Sequence, residues 1–386
     1  MEGMAIETRS KGGNGIMKIE KRELAIVGGG PAGLAAAIEA AKAGVQVLLI
    51  DENERPGGQL FKQIHKFFGS KAHSAGIRGM DIGEKLLEET EKINVEVWLG
   101  SLVSGIYEGN TLSIVRNTEG GKKLCTVQAE KILICCGGAE NAVNFPGWEL
   151  PGVMGAGAAQ TIANVHKVLP GKRVLMIGSG NVGLIVSYQL MQAGADVVGI
   201  VEAAQKIGGY GVHAAKIRRA GVPFYLSHTI KCAIAEEEAV SQAVIVKLDE
   251  CFNQIPGTEQ VFEVDTVCIA TGLRPLSQLA WMYDVKHDFL PELGGWMPLH
   301  DENMESSVPG VYVAGDTAGV EEANTAMDEG RLAGTAIAEA LGYLNPEKAQ
   351  EQKRVIRERL EALRLGPFGE RRLNAKKRIM ERGVNS

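Results

Sequence analysis

Three features that are scarce or missing in this sequence of 386 residues exclude whole classes of protein. Aromatic residues make up 5% of the chain and the formal net charge is -6, so the composition does not favour nucleic-acid binding. No apolar run of about 18 residues is free of glycine and charge, so no membrane span is predicted. Residues 1–17 lack the apolar core of a secretion signal, which predicts a flexible leader and a cytoplasmic protein.

Cysteine occurs at only six positions, and no two of them form a Cys-x-x-Cys pair. The pattern therefore predicts no zinc or other metal site, and it lacks the dithiol motif of thiol–disulfide enzymes. Cys135 and Cys136 are adjacent, but they end a predicted buried strand and precede a glycine turn. We expect them to be buried, reduced thiols rather than a redox pair.

Glycine, in contrast, is abundant, with 49 residues, and one glycine-rich stretch organises the chain. Residues 24–51 predict a buried strand, a helix and a second strand, with the spacing Gly28-x-Gly30-x-x-Gly33 before the helix. In such a unit the first glycine makes a tight turn, the second lets the backbone approach a pyrophosphate, and the third lets the helix pack closely. Asp51 ends the second strand, where an acid can bind a ribose. A glycine-rich turn without a ligand is the alternative.

The same pattern returns in the middle of the chain. Gly178-x-Gly180-x-x-Gly183 follows a short apolar run and precedes a predicted helix, and Glu202 ends the next predicted strand. Two such units, with acids at nearly the same spacing, predict two dinucleotide-binding folds.

The predicted fold class is α/β, with two nested Rossmann-like dinucleotide-binding domains and a helical C-terminal tail. Glycine and proline cluster at 145–152, which predicts a boundary, and a strand with a long helix at 310–341 would complete the first domain after an insertion. The predicted division is a leader (1–17), the first domain (18–147), an inserted domain (148–272), the rest of the first domain (273–344) and the tail (345–386).

Between the two glycine-rich units the sequence predicts an irregular segment at 61–80, a helix at 81–92 and a series of short strands. The strands are predicted at 95–99, 102–107, 111–116, 125–128 and 131–136. His65 and Lys66 are expected to be solvated, so no catalytic acid or base is predicted.

The tail is charge-dense and has a helical pattern. Residues 345–386 contain twelve Lys or Arg and six Asp or Glu, a net charge of +6, against -12 for the rest of the chain. A solvated charged helix is the simplest expectation. The tail could instead fold back on the acidic body, pair with a second copy or hold another subunit. We also expect a truncation before Asn345 to leave cofactor binding intact.

Two nested dinucleotide folds with Gly315-Asp316 near the end resemble the two-dinucleotide-binding-domain flavoprotein superfamily, which includes thioredoxin reductase. The resemblance spans residues 24–341 and implies FAD at the first unit and NAD(H) or another nucleotide at the second. The implied FAD site comprises Gly28, Gly30, Pro31, Ala32, Gly33, Asp51, Glu52, Gly58, Gln59, Gly137, Gly315, Asp316, Glu322, Ala323 and Thr325. The implied nucleotide site comprises Gly178, Gly180, Asn181, Val182, Gly183, Glu202 and Gly272.

A narrower resemblance is to the α or A subunits of multi-subunit amine dehydrogenases, which include opine oxidase, sarcosine oxidase, dye-linked proline dehydrogenase and hydrogen cyanide synthase. It rests on residues 145–160, Gly294-Gly295-Trp296 and residues 315–323. It implies a hetero-oligomer in which a second flavoprotein, the β subunit, oxidises an amino or imino acid. Many α subunits carry a cysteine cluster for an iron–sulfur centre, but no cysteine follows Cys268 here. Such a centre would have to lie on a further small subunit.

The same superfamily contains disulfide reductases, and their motifs are missing here. The thioredoxin-reductase type places a cysteine pair just before the second glycine loop, where residues 152–161 have none. The glutathione-reductase type places its pair after the first Gly-Gly, where residues 59–65 have none. Without a second sulfur no dithiol can carry two electrons from a flavin, so disulfide reduction is excluded.

Three functional hypotheses remain. The first is the FAD-carrying, electron-transfer subunit of an amino- or imino-acid dehydrogenase complex. The second is a free-standing NADH:acceptor oxidoreductase, and the third is a non-catalytic binding subunit. We expect NAD(H) rather than NADP(H) at the second site, because Glu202 would repel a 2′-phosphate and Ala203-Ala204 offers no arginine.

Overall fold

The computed structural model describes residues 19–67, 70–93, 95–366 and 369–384, so the predicted leader lies outside the described residues. The strands are β1 (Ile19–Val27), β2 (Val47–Ile50), β3 (Glu96–Trp98), β4 (Ser101–Tyr107), β5 (Thr111–Thr118), β6 (Gly121–Ile134), β7 (Gly138–Glu140), β8 (Val153–Gly155), β9 (Arg173–Ile177), β10 (Asp196–Glu202), β11 (Phe224–Leu226), β12 (His228–Glu236), β13 (Ala239–Lys247), β14 (Gln260–Glu263), β15 (Thr266–Ile269), β16 (Leu273–Pro275), β17 (His287–Leu290), β18 (Gly295–Pro298) and β19 (Val311–Val313). The helices are α1 (Pro31–Ala43), α2 (Gly79–Lys92), α3 (Ala156–Asn164), α4 (Asn181–Gln192), α5 (Gly211–Arg219), α6 (Gln278–Met282), α7 (Ala323–Ala340), α8 (Pro346–Leu363) and α9 (Glu370–Val384).

The first sheet combines strands from the start and the end of the chain. Its order is β3-β2-β1-β6-β5-β4, and β19 also pairs with β6. Leu24 to Val27 lie between the parallel neighbours β2 and β6 and are buried, as their continuous apolar run predicts. Because β19 returns to this sheet after the second sheet is complete, the second sheet is inserted between parts of the first.

The second sheet repeats the design on a smaller scale. Its order is β11-β10-β9-β15-β8, with parallel pairing throughout. A three-stranded antiparallel sheet, β12-β13-β14, is attached to it. The predicted α/β class with two Rossmann-like units is confirmed.

Two glycines of α7 bring that helix onto the backbone of α1. A Cβ at Gly330 would lie 2.1 Å from the carbonyl oxygen of Ala32, and one at Gly334 would lie 2.5 Å from that of Ala36. Any side chain at these positions would force the helices apart. This close packing places the start of α7 beside the first glycine loop.

One predicted break in the first sheet is wrong. The strands predicted at 125–128 and 131–136 form the single strand β6, because β6 changes partners along its length. Its first part pairs antiparallel with β5 and its last part pairs parallel with β19. The segment predicted as irregular holds two short 3-10 helices, Gly58–Lys62 and Lys71–His73, before α2 begins.

The C-terminal tail folds back on the acidic body, so the expectation of a solvated charged helix is wrong. The buried apolar residues of α8 are Ala349, Ile356 and Leu360. Those of α9 are Ala375 and Ile379, which form a cluster with Leu290, Leu293, Met297 and Leu299. Each helix therefore has an apolar face that its high charge conceals in the sequence.

Candidate functional site

The first glycine loop is shaped by close backbone contacts at two glycines and by open space at the third. Gly28 has a positive φ of 106°, and a Cβ there would lie 2.3 Å from the carbonyl oxygen of Cys135. A Cβ at Gly33 would lie 1.9 Å from the carbonyl oxygen of Gly28. At Gly30, however, a Cβ would meet nothing within 4 Å. The fold therefore requires the outer two glycines, while the middle one faces space that a phosphate group can occupy.

Asp51 lies at the mouth of this loop and its carboxylate is already oriented. Its Oδ2 accepts a hydrogen bond of 2.6 Å from the Gly29 amide, and its Oδ1 accepts one of 2.8 Å from the Asn53 amide. The side chain is buried where β2 ends. Since Oδ2 takes this single bond, it retains a lone pair for a ribose hydroxyl.

Residues from four distant parts of the sequence converge on the start of α1. A Cβ at Gly58 would lie 3.0 Å from the Cα of Gly30, and one at Gly315 would lie 2.9 Å from the Cβ of Ala32. The Gly137 amide donates a 2.9 Å hydrogen bond to the Thr317 hydroxyl beside Asp316. The structure thus assembles the glycine loop, the Gly-Gly turn, the end of β6 and the Gly-Asp turn around one space.

The outer members of the predicted FAD set lie at the edges of this space. Pro31 opens α1 and Ala323 opens α7. Thr325 is buried, and its hydroxyl donates a 2.6 Å hydrogen bond to the carbonyl oxygen of Glu322. Glu52 and Gln59 are exposed beside the loop.

The carboxylate of Glu322 does not turn to the first glycine loop. It accepts a hydrogen bond from Asn181 Nδ2 at 3.3 Å and another from the Tyr210 hydroxyl at 3.2 Å. Arg372 of the tail lies 3.8 Å from the same oxygen. Glu322 therefore links the start of α7 to the inserted domain and to the tail.

The second glycine loop has the same construction as the first. Cβ atoms at Gly178 and Gly183 would lie 2.3 and 2.2 Å from carbonyl oxygens, those of Ala270 and Gly178 respectively. A Cβ at Gly180 would meet nothing within 4 Å. The middle glycine again faces open space.

Glu202 corresponds to Asp51 in its contacts as well as in its position. Its Oε2 accepts a hydrogen bond of 2.9 Å from the Ser179 amide, and its Oε1 accepts one of 2.9 Å from the Ala204 amide. Val182 is exposed beside the loop, and the backbone oxygen of Gly272 accepts a hydrogen bond from Asn141. Gly272 follows β15, two residues after Ala270, whose carbonyl oxygen lies against Gly178.

Asp316 is the most perturbed acid of the first site. Burial raises the pKa of its carboxyl to about 7, and the nearby carboxylates of Glu329, Glu321 and Glu322 act in the same direction. The Glu321 amide, 3.4 Å from its Oδ1, partly opposes this shift. The group therefore needs a hydrogen-bond donor, which a ribityl hydroxyl can supply.

Four charged residues at this site were missed by the sequence analysis. Glu321 and Glu329 are buried near Asp316, and each pairs with Arg364 of the tail, at 2.5 and 2.6 Å. Lys376 of α9 lies 2.7 Å from Glu329. In the sequence these residues look like members of charged helix surfaces, and only the docking of the tail reveals them.

A lysine of the first domain also reaches the inserted domain. Lys62 Nζ donates a hydrogen bond to the Gly157 carbonyl oxygen at 3.3 Å, while the Gly157 amide donates one of 2.7 Å to Glu140. Burial lowers the pKa of Lys62, and the negative charge of Glu140 opposes that shift. This contact lies where α3 meets the short helix that begins at Gly58.

The prediction of a solvated His65 is wrong, whereas Lys66 is exposed. The His65 ring stacks on Phe67 with centroids 5.6 Å apart and faces His213 of the inserted domain at 6.4 Å. Burial lowers the pKa of His65 to about 4, and the His213 and Lys216 charges add to this effect. His65 is therefore a neutral residue of the domain contact at neutral pH.

The adjacent thiols are free and poorly disposed to react. Burial raises the pKa of Cys136 to about 12, with further effects from Glu52 and Asp51, and burial also raises that of Cys135. Thiolate is the reactive form of cysteine. The two residues therefore serve the packing of the loop, where the Cys135 carbonyl lies against Gly28.

A cavity of about 170 Å³ opens between the tail and the start of α7. Its lining includes Tyr210, Glu322, Thr325, Arg364 and Arg372. It gives access to the end of α7 at which the predicted flavin ring would lie.

The residues of both sites fit the cofactors that the sequence predicts. The first site combines an open glycine cradle, an oriented acid and a half-buried acid that needs a donor, as FAD requires of its ADP and ribityl binding groups. The second site offers the glycine cradle and the acid of a dinucleotide fold without the additional acid.

Comparison with known proteins places these sites in a family. The family model described as pyridine nucleotide-disulphide oxidoreductase matches residues 22–330. The opine oxidase A subunit of Rhizobium meliloti is 28% identical over 340 residues, which cover 84% of this chain and 64% of that protein. Hydrogen cyanide synthase subunit HcnB of Pseudomonas aeruginosa is 29% identical over 362 residues, covering 88% of this chain and 75% of that protein. The chain thus spans just under two thirds of its opine oxidase relative.

Two solved structures share the fold. Thioredoxin reductase of T. acidophilum aligns with a TM-score of 0.68 and 22% identity, over 83% of this chain and 99% of that chain. L-proline dehydrogenase of P. horikoshii aligns with a TM-score of 0.64 and 23% identity, over 88% of this chain and 60% of that chain. None of the helices in the described parts of this chain combines the length and apolar character of a membrane span.

Proposed function

The chain belongs to the pyridine nucleotide-disulphide oxidoreductase family and is an FAD-dependent oxidoreductase, and we propose that it is the electron-transfer subunit of an amino- or imino-acid dehydrogenase complex. The substrate would be of the proline, sarcosine or opine type. FAD would occupy the first glycine loop, and NAD(H) is the nucleotide that suits the second.

The observation that carries this proposal is a flavin-type scaffold that lacks the cysteine pairs used by disulfide reductases. At the domain contact, the start of α3 presents Gly157 to Glu140 and Lys62. Neither residues 152–161 nor residues 59–65 contain a cysteine. FAD supplies the redox chemistry when bound, and here its electrons would pass to or from another redox centre, not to a thiol of this chain.

The side chains of this chain would hold and shield the cofactor. Asp51 would bind the adenosine ribose, Gly30 would leave room for the pyrophosphate, and Asp316 would accept a hydrogen bond from the ribityl chain. The N-terminal amides of α7 would face the pyrimidine edge of the ring and favour the reduced, anionic form. The positive charge of Lys62, at the contact between the two domains, would also favour the reduced, anionic form of the flavin.

The names of the relatives support a hetero-oligomer. The opine oxidase A subunit, hydrogen cyanide synthase subunit HcnB and the sarcosine oxidase alpha subunit each carry the name of one part of a larger enzyme. By analogy, a second flavoprotein would oxidise the amino or imino acid and pass electrons to this chain. Residues 269–386 contain no cysteine, and an iron–sulfur centre of such a complex would lie on a further small subunit.

A free-standing NADH:acceptor oxidoreductase is the second candidate. It is favoured by the open space at Gly180 and by the oriented carboxylate of Glu202, which together resemble the first loop. The same features count against a third candidate, a non-catalytic binding subunit. A cofactor site that had lost its function would not need an open glycine loop or an oriented carboxylate.

Purification of the native protein from its own cells tests the proposal. An affinity tag on the chain should recover a second flavoprotein in fixed stoichiometry, identifiable by mass spectrometry, with amino- or imino-acid dehydrogenase activity in the recovered complex. Recovery of the chain alone, together with rapid NADH oxidation by a soluble quinone, would favour the second candidate instead.

A further inference from the structure

The tail forms part of the wall behind the Gly315-Asp316 turn. Lys376 is 1% exposed, and its ammonium donates a 2.9 Å hydrogen bond to the Ala318 carbonyl oxygen, two residues beyond Asp316. The same ammonium lies 2.7 Å from Glu329 Oε1. A lysine this deeply buried is rare unless it is paired, so its position on α9 is a specific one.

Glu329 links Lys376 to the backbone of the Gly315-Asp316 turn. Its Oε2 accepts a 3.1 Å hydrogen bond from the Gly315 amide, while its Oε1 is held by Lys376 and by Arg364. The carboxylate is 2% exposed. One side chain therefore fixes the turn that presents Asp316, and two cations of the tail fix that side chain.

The charges explain why these cations are needed. Glu321, Glu329 and Asp316 crowd one side of the FAD space, and FAD would add the charge of its diphosphate. Arg364 pairs with Glu321 at 2.5 Å and with Glu329 at 2.6 Å, so the two tail cations balance the two glutamates. Removing one partner of a buried ion pair leaves an uncompensated charge in a medium that screens it poorly.

Resting on the proposed function, we propose that Lys376 and Arg364 are positioning residues of the flavin site. They neutralise Glu321 and Glu329 and hold the Gly315-Asp316 turn in the conformation that binds FAD. Their positive charge also makes the site more favourable for the reduced, electron-rich form of the cofactor. The tail is then a component of cofactor binding and not a separate arm. This argues against the sequence-based expectation that a truncation before Asn345 would leave cofactor binding intact.

The chain offers a matched control for the test. Lys353 of α8 is also a buried tail lysine paired with a glutamate of α7, at 2.5 Å from Glu339. Glu339 lies in the last turn of α7, far along the helix from Glu329. A substitution at Lys353 should therefore loosen the tail without touching the Gly315-Asp316 turn.

The test compares the full-length variants Lys376→Met, Lys376→Arg, Arg364→Gln and Lys353→Met with the wild type. Each is checked for folding by circular dichroism, and two quantities are measured: the dissociation constant of FAD, and the midpoint potential of bound FAD by dye-equilibrated titration. We expect Lys376→Met and Arg364→Gln each to weaken FAD binding at least tenfold and to make the potential more negative. Lys376→Arg should retain most of the affinity, and Lys353→Met should match the wild type in both quantities.

A double variant shows whether Lys376 acts by neutralising Glu329 or only by stabilising the fold of the chain. Adding Glu329→Gln to Lys376→Met removes the negative charge that Lys376 no longer balances, so it should recover most of the lost affinity and potential. FAD binding by both cation variants within twofold of the wild type would overturn this inference alone, as would an equal loss in Lys353→Met. A folded wild-type chain that binds no FAD would overturn the proposed function as well.

Discussion

The ammonium of Lys376 on α9 lies 2.7 Å from the carboxylate of Glu329 on α7, a helix that ends well before α9 begins in the sequence. Glu329 in turn accepts a hydrogen bond from the Gly315 amide. The charge-dense tail is therefore joined to the part of the fold that would hold the flavin ribityl chain. Through this contact, a positive charge of the basic tail is placed beside the turn that presents Asp316.

The first prediction concerns the two acids of the FAD site. Asp316→Ala should abolish stoichiometric FAD binding, because it removes the half-buried acceptor for the ribityl chain. Asp51→Ala should weaken binding by only about 1–3 kcal/mol, the cost of losing one ribose contact. The flavin absorbance of purified protein and the FAD dissociation constant measure both effects. Asp196→Ala, at a carboxylate that pairs with Arg173 on the surface, is the control and should bind one FAD per chain.

The second prediction concerns the pH dependence of the FAD-free chain. Because burial raises the pKa of Asp316 to about 7 from 3.8, the folded chain keeps a proton between these values that the unfolded chain releases. The contribution of Asp316 to stability should therefore fall as pH rises through this window and level off above about 7. Asp316→Asn lacks this titration and should be more stable than the wild type by about 1–3 kcal/mol above that pH. Thermal unfolding of both proteins from pH 4 to pH 8 tests this, and parallel pH profiles would speak against it.

The third prediction concerns nucleotide choice at the second site. The oriented carboxylate of Glu202 should accept hydrogen bonds from a ribose and repel a 2′-phosphate, so NADH should bind at least about tenfold more tightly than NADPH, a difference of about 1.4 kcal/mol. Glu202→Gln should reduce this preference by removing the repulsion. Titration with both nucleotides measures it, with Glu236→Gln at an exposed end of β12 as the control. Tighter binding of NADPH to the wild type would refute the assignment.

The fourth prediction concerns the adjacent thiols. Because burial raises the pKa of Cys136 to about 12, we expect no electron exchange between these thiols and the flavin. Anaerobic dithionite titration of the FAD-loaded chain should consume about two electrons per flavin. Uptake of about four electrons, reduced to two in a Cys135→Ala/Cys136→Ala variant, would instead reveal a redox disulfide.

The sequence predicts those features of the sites that depend on local spacing. Asp51 and Glu202 each end a strand after a glycine loop, and the parallel pairing of neighbouring strands brings each acid back to its own loop. The approach of Gly315 to Ala32 needs the pairing of β19 with β6, and a single sequence signals it only through a resemblance.

The docking of the tail could not be predicted for a different reason. Lys376 belongs to a helix that is mostly basic and looks solvated, and its burial depends on Ala375 and Ile379 packing against a hairpin far away in the sequence. Likewise, the sequence predicts two strands where β6 is one, because the change of pairing partners along β6 is not visible in its own residues. Both features arise from tertiary packing, which overrides the structure that the local sequence pattern predicts.

The most direct test of the proposed function follows the flavin spectrum of this chain under anaerobic conditions, first alone and then in the native complex. Each sample carries bound FAD and receives proline, sarcosine or an opine. The proposal predicts that the isolated chain stays oxidised with all three, and that one of them bleaches its flavin band only when the second flavoprotein is present. Rapid bleaching of the isolated chain by any of the three would contradict the proposal.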